Sequence, residues 1–342
     1  MPAMDVREME QRLAVFIARQ VGVPEVTVCG LRRLAGGASR EIWSVDVSYE
    51  QNGRRVSLPL VLRRDPAAAA VGSPRRDEFD LLRAATATGV PVPKVYWVSD
   101  DIATLGASFF LMDRIEGETL ARRLLRDDLY AEARRVMTGQ LGGILASIHR
   151  IDREKHRLTF LAEPPAGEPP AKAELDRFEQ IFRAIAPDPH PTFEIAFRWL
   201  RARLPPVDRR VVVHGDFRIG NVIFGPDGVR AVLDWELAHI GDPMEDLGWI
   251  CVRSWRFGND ALPVGGIGTR EELFRAYEQA GGAAVHPQHV RFWEVLGNLK
   301  WGIMTIMQAK THLDGLVKSV ELASLGRRTA EMELELLNLI DA

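Results

Sequence analysis

The stretch His214-Gly215-Asp216-Phe217-Arg218-Ile219-Gly220-Asn221, followed thirteen residues later by Asp234-Trp235-Glu236, gathers the side-chain types that phosphoryl transfer uses. That reaction asks little covalent chemistry of a protein. It needs metal ions bridging the phosphates, a group that accepts the hydroxyl proton, and positive charge on the transferring phosphoryl. Asp216, Asn221, Asp234 and Arg218 are of those types. A His-Gly-Asp triplet by itself reads as a turn with a capping Asp. Its coincidence with Asn221 and Asp234 turns the reading toward catalysis. A metallophosphatase would add a Gly-Asn-His element and further histidines, which this sequence lacks, so hydrolysis ranks behind transfer.

These residues need elements to carry them. Val6, Met9, Leu13, Phe16 and Ile17 recur at helical spacing, predicting a helix over residues 5 to 21 that ends near Gly22. Trp43, Val45, Val47 and Tyr49 alternate with polar residues as in a half-buried strand. Asn52-Gly53 then signals a hairpin into Leu58, Leu60 and Leu62. With a strand over 26 to 34, a helix near 75 to 88 and strands near 94 to 98 and 107 to 113, the first hundred residues read as an antiparallel meander. Beyond Gly117 the pattern is helical: Met137, Leu141, Ile144, Leu145 and Ile148 line one face of a helix near 130 to 150. Prolines flank a helical stretch at 171 to 185, read as an inserted helix suited to carry specificity. Val211 to Val213 and Val229 to Leu233 are short apolar runs, and helices resume from Asp246, including one over 292 to 307. The fold class is α+β, with an N-terminal lobe over 1–115 and a C-terminal lobe over 116–342.

Against the protein-kinase pattern H-R-D-L-x-x-x-N, His214, Asp216 and Asn221 fall in register, with Gly215 at the arginine position. The chain resembles the aminoglycoside phosphotransferase and choline kinase superfamily, which carries H-G-D-x-x-x-x-N and a following D-x-D or D-x-E. The likeness spans most of the sequence. It includes Gly36-Gly37, the strand end Leu60-Val61-Leu62-Arg63, Glu78 and the run from Leu233 to Leu247. Among its branches the chain is similar to the kinase domain found alone in bacteria or fused to acyl-CoA dehydrogenases. The resemblance implies a protein-kinase-like fold of two lobes, an antiparallel-sheet N-lobe and a mainly helical C-lobe, using ATP and Mg2+. It implies Asp216 as catalytic base, Asn221 and Asp234 as magnesium ligands, and His214 as a scaffold for the catalytic loop. It also implies that Arg218 neutralises charge on the γ-phosphate and that Gly36 and Gly37 lie in the nucleotide loop. Glu236 occupies the second acidic position, reaching a metal-bound water or bracing the loop.

The departure is at the cation that usually anchors the non-transferred phosphates, a strand lysine paired with a helix glutamate. Only six lysines occur and none precedes residue 94. Arg63 with Glu78 is therefore assigned to that pair, with Arg64 as the alternative cation. Arginine keeps the charge and forks two oxygens, but differs from lysine in length and shape. Gly36-Gly37 is not G-x-G-x-x-G, and no G-x-x-x-x-G-K-[ST] exists, so dinucleotide and P-loop readings fall.

Composition bounds the partners. Lys plus Arg total 44 against 47 Asp plus Glu, a formal charge of -3 that marks no general nucleic-acid binder. Cys29 and Cys251 alone exclude a disulfide framework and a multi-cysteine zinc site, and fit a reducing compartment, hence a cytoplasmic expectation. No run approaches a membrane span, and the N-terminal stretch shows no signal-peptide pattern. Asp242 and Asp246 read as a turn and a helix N-cap, and the tryptophans 293 and 301 as a core stripe, with Lys300 left to face the acceptor. Arg253, Trp255 and Arg256 favour an anionic or extended acceptor such as a hydroxyacyl thioester. The whole sequence thus predicts an ATP-dependent transfer to a small-molecule hydroxyl. A catalytically silent nucleotide-binding scaffold and, behind it, a metal-dependent phosphohydrolase are the competing classes.

Overall fold

The computed structural model describes residues 4–34, 41–65, 75–186, 188–206 and 209–341. The chain divides into two compact units. The first comprises the described residues of 1–117 with 152–160 and 230–236; the second comprises 118–151, 161–229 and the rest from 237.

The first unit begins with α1 (Val6–Val21), whose N-cap Asp5 accepts a hydrogen bond from the Glu8 N–H at 2.8 Å. Met9, Leu13 and Ile17 on its inner face are buried. Next come β1 (Val26–Arg33), β2 (Glu41–Gln51) and β3 (Arg54–Arg64). Asn52 and Gly53 both take positive φ, 52° and 71°, the pair of left-handed residues that a tight hairpin between twisted strands requires. This fixes the register Trp43↔Leu62, Val45↔Leu60 and Val47↔Leu58, putting Val45, Val47, Leu60 and Leu62 into one core with the inner face of α1.

Helix α2 (Arg75–Ala87), β4 (Val95–Ser99), the short α3 (Ile102–Leu105) and β5 (Phe109–Asp113) complete the sheet, which is antiparallel in every pairing. Its strand order, β1-β2-β3-β5-β4, corrects the expected meander. Phe109, Phe110, Leu111 and Met112 are all buried, and such a continuous apolar strand takes the interior place beside β3. The half-buried β4 is left at the edge.

The second unit contains α4 (Ala121–Arg126), α5 (Ala131–Ile148), α6 (Pro170–Ile185) and α7 (Pro191–Arg201). There follow β6 (Val211–Val213), β7 (Val222–Gly225), β8 (Gly228–Val232), within which the chain passes to the first unit, and β9 (His239–Gly241). Helices α8 (Pro243–Trp249), α9 (Arg270–Gln279), α10 (Pro287–Leu313), α11 (Val320–Leu325) and α12 (Thr329–Asp341) complete it. The predicted helix at 130 to 150 appears as α5, with its five apolar positions buried. The inserted helix appears as α6, and α7, which the proline-rich reading left out, follows it. Strand β6 pairs antiparallel with β9, and its three valines are buried. That small ribbon delivers the chain into the 214–221 loop.

Leu60 is fully buried opposite Val45. Replacing it with Ala removes apolar contact and leaves a void, with an expected cost of about 2–5 kcal/mol. A urea midpoint equal to wild type would contradict the placement of this core.

Candidate active site

Residues 214–221 run from the end of β6 through a 3-10 turn at Ile219–Asn221 into β7. Gly215 has φ +76°, and a Cβ there would sit 2.4 Å from the Leu237 carbonyl oxygen. Only glycine satisfies both conditions, which is why the kinase-type arginine has no room at this position. His214 is fully buried, and its Nδ1 accepts the Asp216 N–H at 3.2 Å, so the ring braces the turn it begins.

The loop hangs on Asp246. This carboxylate accepts the N–H groups of His214 at 2.8 Å and Gly215 at 2.9 Å, and lies 3.1 Å from His149 Nε2. Burial alone would push its pKa up, but the hydrogen bond from His149 and the backbone donor outweigh it and hold the group below its ordinary value. An ionised carboxylate only accepts, so His149 Nε2 donates to it, while Nδ1 lies 2.9 Å from the Tyr277 hydroxyl. Asp242 is the expected N-cap of α8, accepting the Met244 N–H at 2.8 Å. Asp246 is not a cap; it sits inside that helix with its side chain committed to the loop.

Within this frame the sequence-predicted residues Asp216, Arg218 and Asn221 are brought together. Asn221 Nδ2 donates to Asp216 Oδ2 at 2.7 Å and to its carbonyl at 3.0 Å. The amide is thereby oriented, and its Oδ1 accepts no hydrogen bond among the described residues. Arg218 Nε lies 3.0 Å from Asp216 Oδ1 and 3.3 Å from Oδ2, while the guanidinium stacks over the Trp255 ring at 4.8 Å. Its two Nη groups hydrogen-bond to nothing among the described residues. The indole of Trp249 also donates to Asp216 Oδ1, at 2.8 Å.

The first unit holds the other predicted residues. Arg63 ion-pairs with Glu78, as the strand-and-helix reading expected, and Arg75 adds a second cation at 2.6 Å from the other carboxylate oxygen. Arg75 also reaches Asp65 at 2.6 Å. Arg64, on the opposite face of the strand, pairs instead with Glu41 at 2.8 Å. Asp234 lies in the left-handed region at φ +64°, a conformation Asp tolerates better than most residues. Its half-buried carboxylate has no hydrogen bond or ion pair among the described residues. Glu236 is exposed in the turn that follows. Gly36 and Gly37 lie outside the described residues.

Two expectations change. Arg256 is buried, donating to the Cys251 carbonyl at 2.8 Å and to Glu294 at 2.8 Å, so it serves the interior and not an acceptor. Lys300 is also buried, 3.1 Å from Glu174 and 3.6 Å from Glu245. Burial opposes its charge, but the two carboxylates raise its pKa and keep it an ammonium. Trp249, His149, Tyr277 and Arg75 were missed. One signal was available: Asp246 and Trp249, three apart on a short helix, share a face.

No helix among the described residues is long and apolar enough to cross a membrane. Nor do those residues assemble three or more His, Cys, Asp or Glu side chains into a metal cluster. A sequence model of the phosphotransferase enzyme family matches residues 30–287. Acyl-CoA dehydrogenase family member 10 of Mus musculus is 31% identical over 237 residues, covering 66% of this chain and 22% of that protein. The chain therefore spans about a fifth of the length of that relative. Among solved structures, a Ralstonia eutropha protein given as a provisional aminoglycoside phosphotransferase superposes with a TM-score of 0.76 at 22% identity, covering 98% of both chains. The aminoglycoside phosphotransferase APH(4)-Ia, solved with AMP-PNP and hygromycin B, gives 0.57 at 17% identity, covering 94% of this chain and 97% of that one. These likenesses bear out the protein-kinase-like α+β fold.

Two measurements test this frame. Asp246→Ala strips two buried N–H groups of their acceptor, with an expected cost of about 3 kcal/mol or more by urea unfolding; a neutral effect would contradict the bracing role. His239 tests the charge frame around Lys300. Burial works against its charge, but Glu245 at 3.2 Å and then Glu174 prevail and push its pKa up to about 9. A histidine raised this way stabilises fully below its unfolded value near 6.5 and loses that contribution as pH rises through about 9. The urea midpoint should therefore fall over that window in wild type and stay flatter in His239→Gln.

Proposed function

Because this chain belongs to the phosphotransferase enzyme family, we propose that it moves the γ-phosphate of ATP to the hydroxyl of a small molecule. The observation that carries the reading is the arrangement of Asp216, Arg218 and Asn221 on the loop held by Asp246. Asp216 accepts the proton of the attacking hydroxyl. Arg218, tied to Asp216 through Nε, keeps its Nη groups for the transferring phosphoryl. Arg63, held by Glu78, clamps the non-transferred phosphates, and Gly36 and Gly37 belong to the nucleotide loop.

The residues assigned to magnesium fit a hard cation. Asn221 and Asp234 offer oxygen only, the Asn221 amide is turned so that Oδ1 is available, and the Asp234 carboxylate is uncommitted. One carboxylate, one amide oxygen and substrate phosphates make up the sparse protein set that magnesium accepts. When bound, the ion would neutralise charge on the phosphates. The nucleotide reading is supported by the AMP-PNP complex of a structural relative. We place the activity in the cytoplasm, a setting that the unpaired Cys29 and Cys251 fit.

For the acceptor, Arg253, on the short turn that presents Trp255 to Arg218, and Arg328 line a cavity of about 570 Å³ in the second unit, where they pair with Asp260 at 3.0 Å and Glu331 at 3.1 Å. With Arg122 the lining carries three arginines against two carboxylates, and that cationic excess favours an acceptor with an anionic portion. Of the residues read from the sequence toward such an acceptor, Arg253 keeps that role and the buried Arg256 does not.

Labelled ATP with magnesium and a panel of anionic and neutral hydroxyl compounds tests the proposal. Asp216→Ala should lower transfer by about 10²–10⁴-fold while ATP affinity changes little, because a base is lost and no phosphate contact. Full activity in that variant would refute the assignment, and nucleotide binding without turnover in wild type would favour the silent scaffold.

A further inference from the structure

The Asp216 carboxylate has about four acceptor positions, two on each oxygen. Oδ1 takes Trp249 Nε1 at 2.8 Å and Arg218 Nε at 3.0 Å. Oδ2 takes Asn221 Nδ2 at 2.7 Å and only the long arm of the bifurcated arginine bond, 3.3 Å. The two oxygens are therefore unequal. Oδ1 is filled, and Oδ2 keeps an acceptor position for a proton.

Trp249 is built into place. It is buried at the C-terminal end of α8, one turn beyond Asp246, so one helical face fixes both the backbone of the 214–216 turn and the side chain at its end. Its ring lies against Gly297 of α10, where a Cβ would approach Trp249 Cε3 to 3.3 Å. Lys300, one turn further along α10, holds its ammonium 5.0 Å from the ring centroid. The Trp255 ring also packs against that of Trp249 at 5.4 Å, and Trp255 carries the Arg218 guanidinium. The two indoles thus set both donors to Oδ1.

We propose that Trp249 is a positioning residue of the transfer reaction, its indole N–H fixing Oδ1 so that Oδ2 receives the proton. This rests on the reading of Asp216 as the base. In the step, the acceptor O–H bond breaks and its proton passes to Oδ2. The acceptor oxygen bonds to the γ-phosphorus, and the bond from that phosphorus to the β–γ bridging oxygen breaks, releasing ADP. A tryptophan suits the task because its N–H only donates, so it never competes for that proton.

Trp249→Phe keeps an aromatic ring in the slot and removes the donor. The expected result is a kcat lowered by about tenfold to a hundredfold, as for a reacting group let out of position, with KM for ATP and acceptor nearly unchanged. A purely structural role would instead lower the unfolding midpoint and leave kcat per folded molecule alone. The contact is read independently by ¹H–¹⁵N spectra of the tryptophan side chains. The indole resonance absent from Trp249→Phe should move upfield in Asp216→Ala. Wild-type kcat in Trp249→Phe, or an indole resonance indifferent to Asp216, overturns the proposal. If wild type phosphorylates no acceptor, the functional reading fails and the proposal with it, while the spectra still decide whether the contact exists.

Discussion

The site in the second unit depends on one buried carboxylate. Asp246 takes two consecutive backbone N–H groups from the 214–215 turn and a ring proton from His149, with no exposure to water. Unmet, those backbone donors would each cost about 1–3 kcal/mol in the interior. The turn is therefore held where the carboxylate is. Gly215 makes that turn possible, His214 closes it from within, and the chain leaves it with Asp216 presented to Arg218, Asn221 and Trp249.

The same economy appears in how charge is managed around the site. Lys300 and Glu174, though buried, each have an opposite charge within hydrogen-bond reach, and so does Glu294 through Arg256 and Arg270. Removing one partner from such a pair costs far more than the pair itself contributes, since it leaves a charge stranded in low dielectric. In the first unit Glu78 is shared between Arg63 and Arg75, so the arginine assigned to the phosphates is held in place by a carboxylate that a second arginine also fixes.

Much of this was legible in the amino-acid order because it is written at short range. The alternation in Trp43 to Tyr49, the Asn52-Gly53 turn and the helical face from Met137 to Ile148 are local patterns that packing leaves unchanged. The Arg63–Glu78 pair was readable because strand and helix ends were. The position of β5 inside the sheet was not, since nothing in 109–113 says which neighbour a continuous apolar strand chooses. Arg256 and Lys300 were read toward the acceptor because their partners, Glu294 and Glu174, are 38 and 126 residues away in sequence. Trp249 was hidden for the same reason: an indole reads as core until its N–H is seen to meet a carboxylate 33 residues back in the chain.

The central claim is that the groups on the 214–221 loop act with a nucleotide to phosphorylate an alcohol. The most direct check is product stoichiometry, followed by ³¹P resonance with ATP, magnesium and an acceptor mixture. The account predicts ADP and a phosphomonoester appearing in equal amounts. ADP accompanied only by inorganic phosphate, or phosphate released without any ATP, would contradict it.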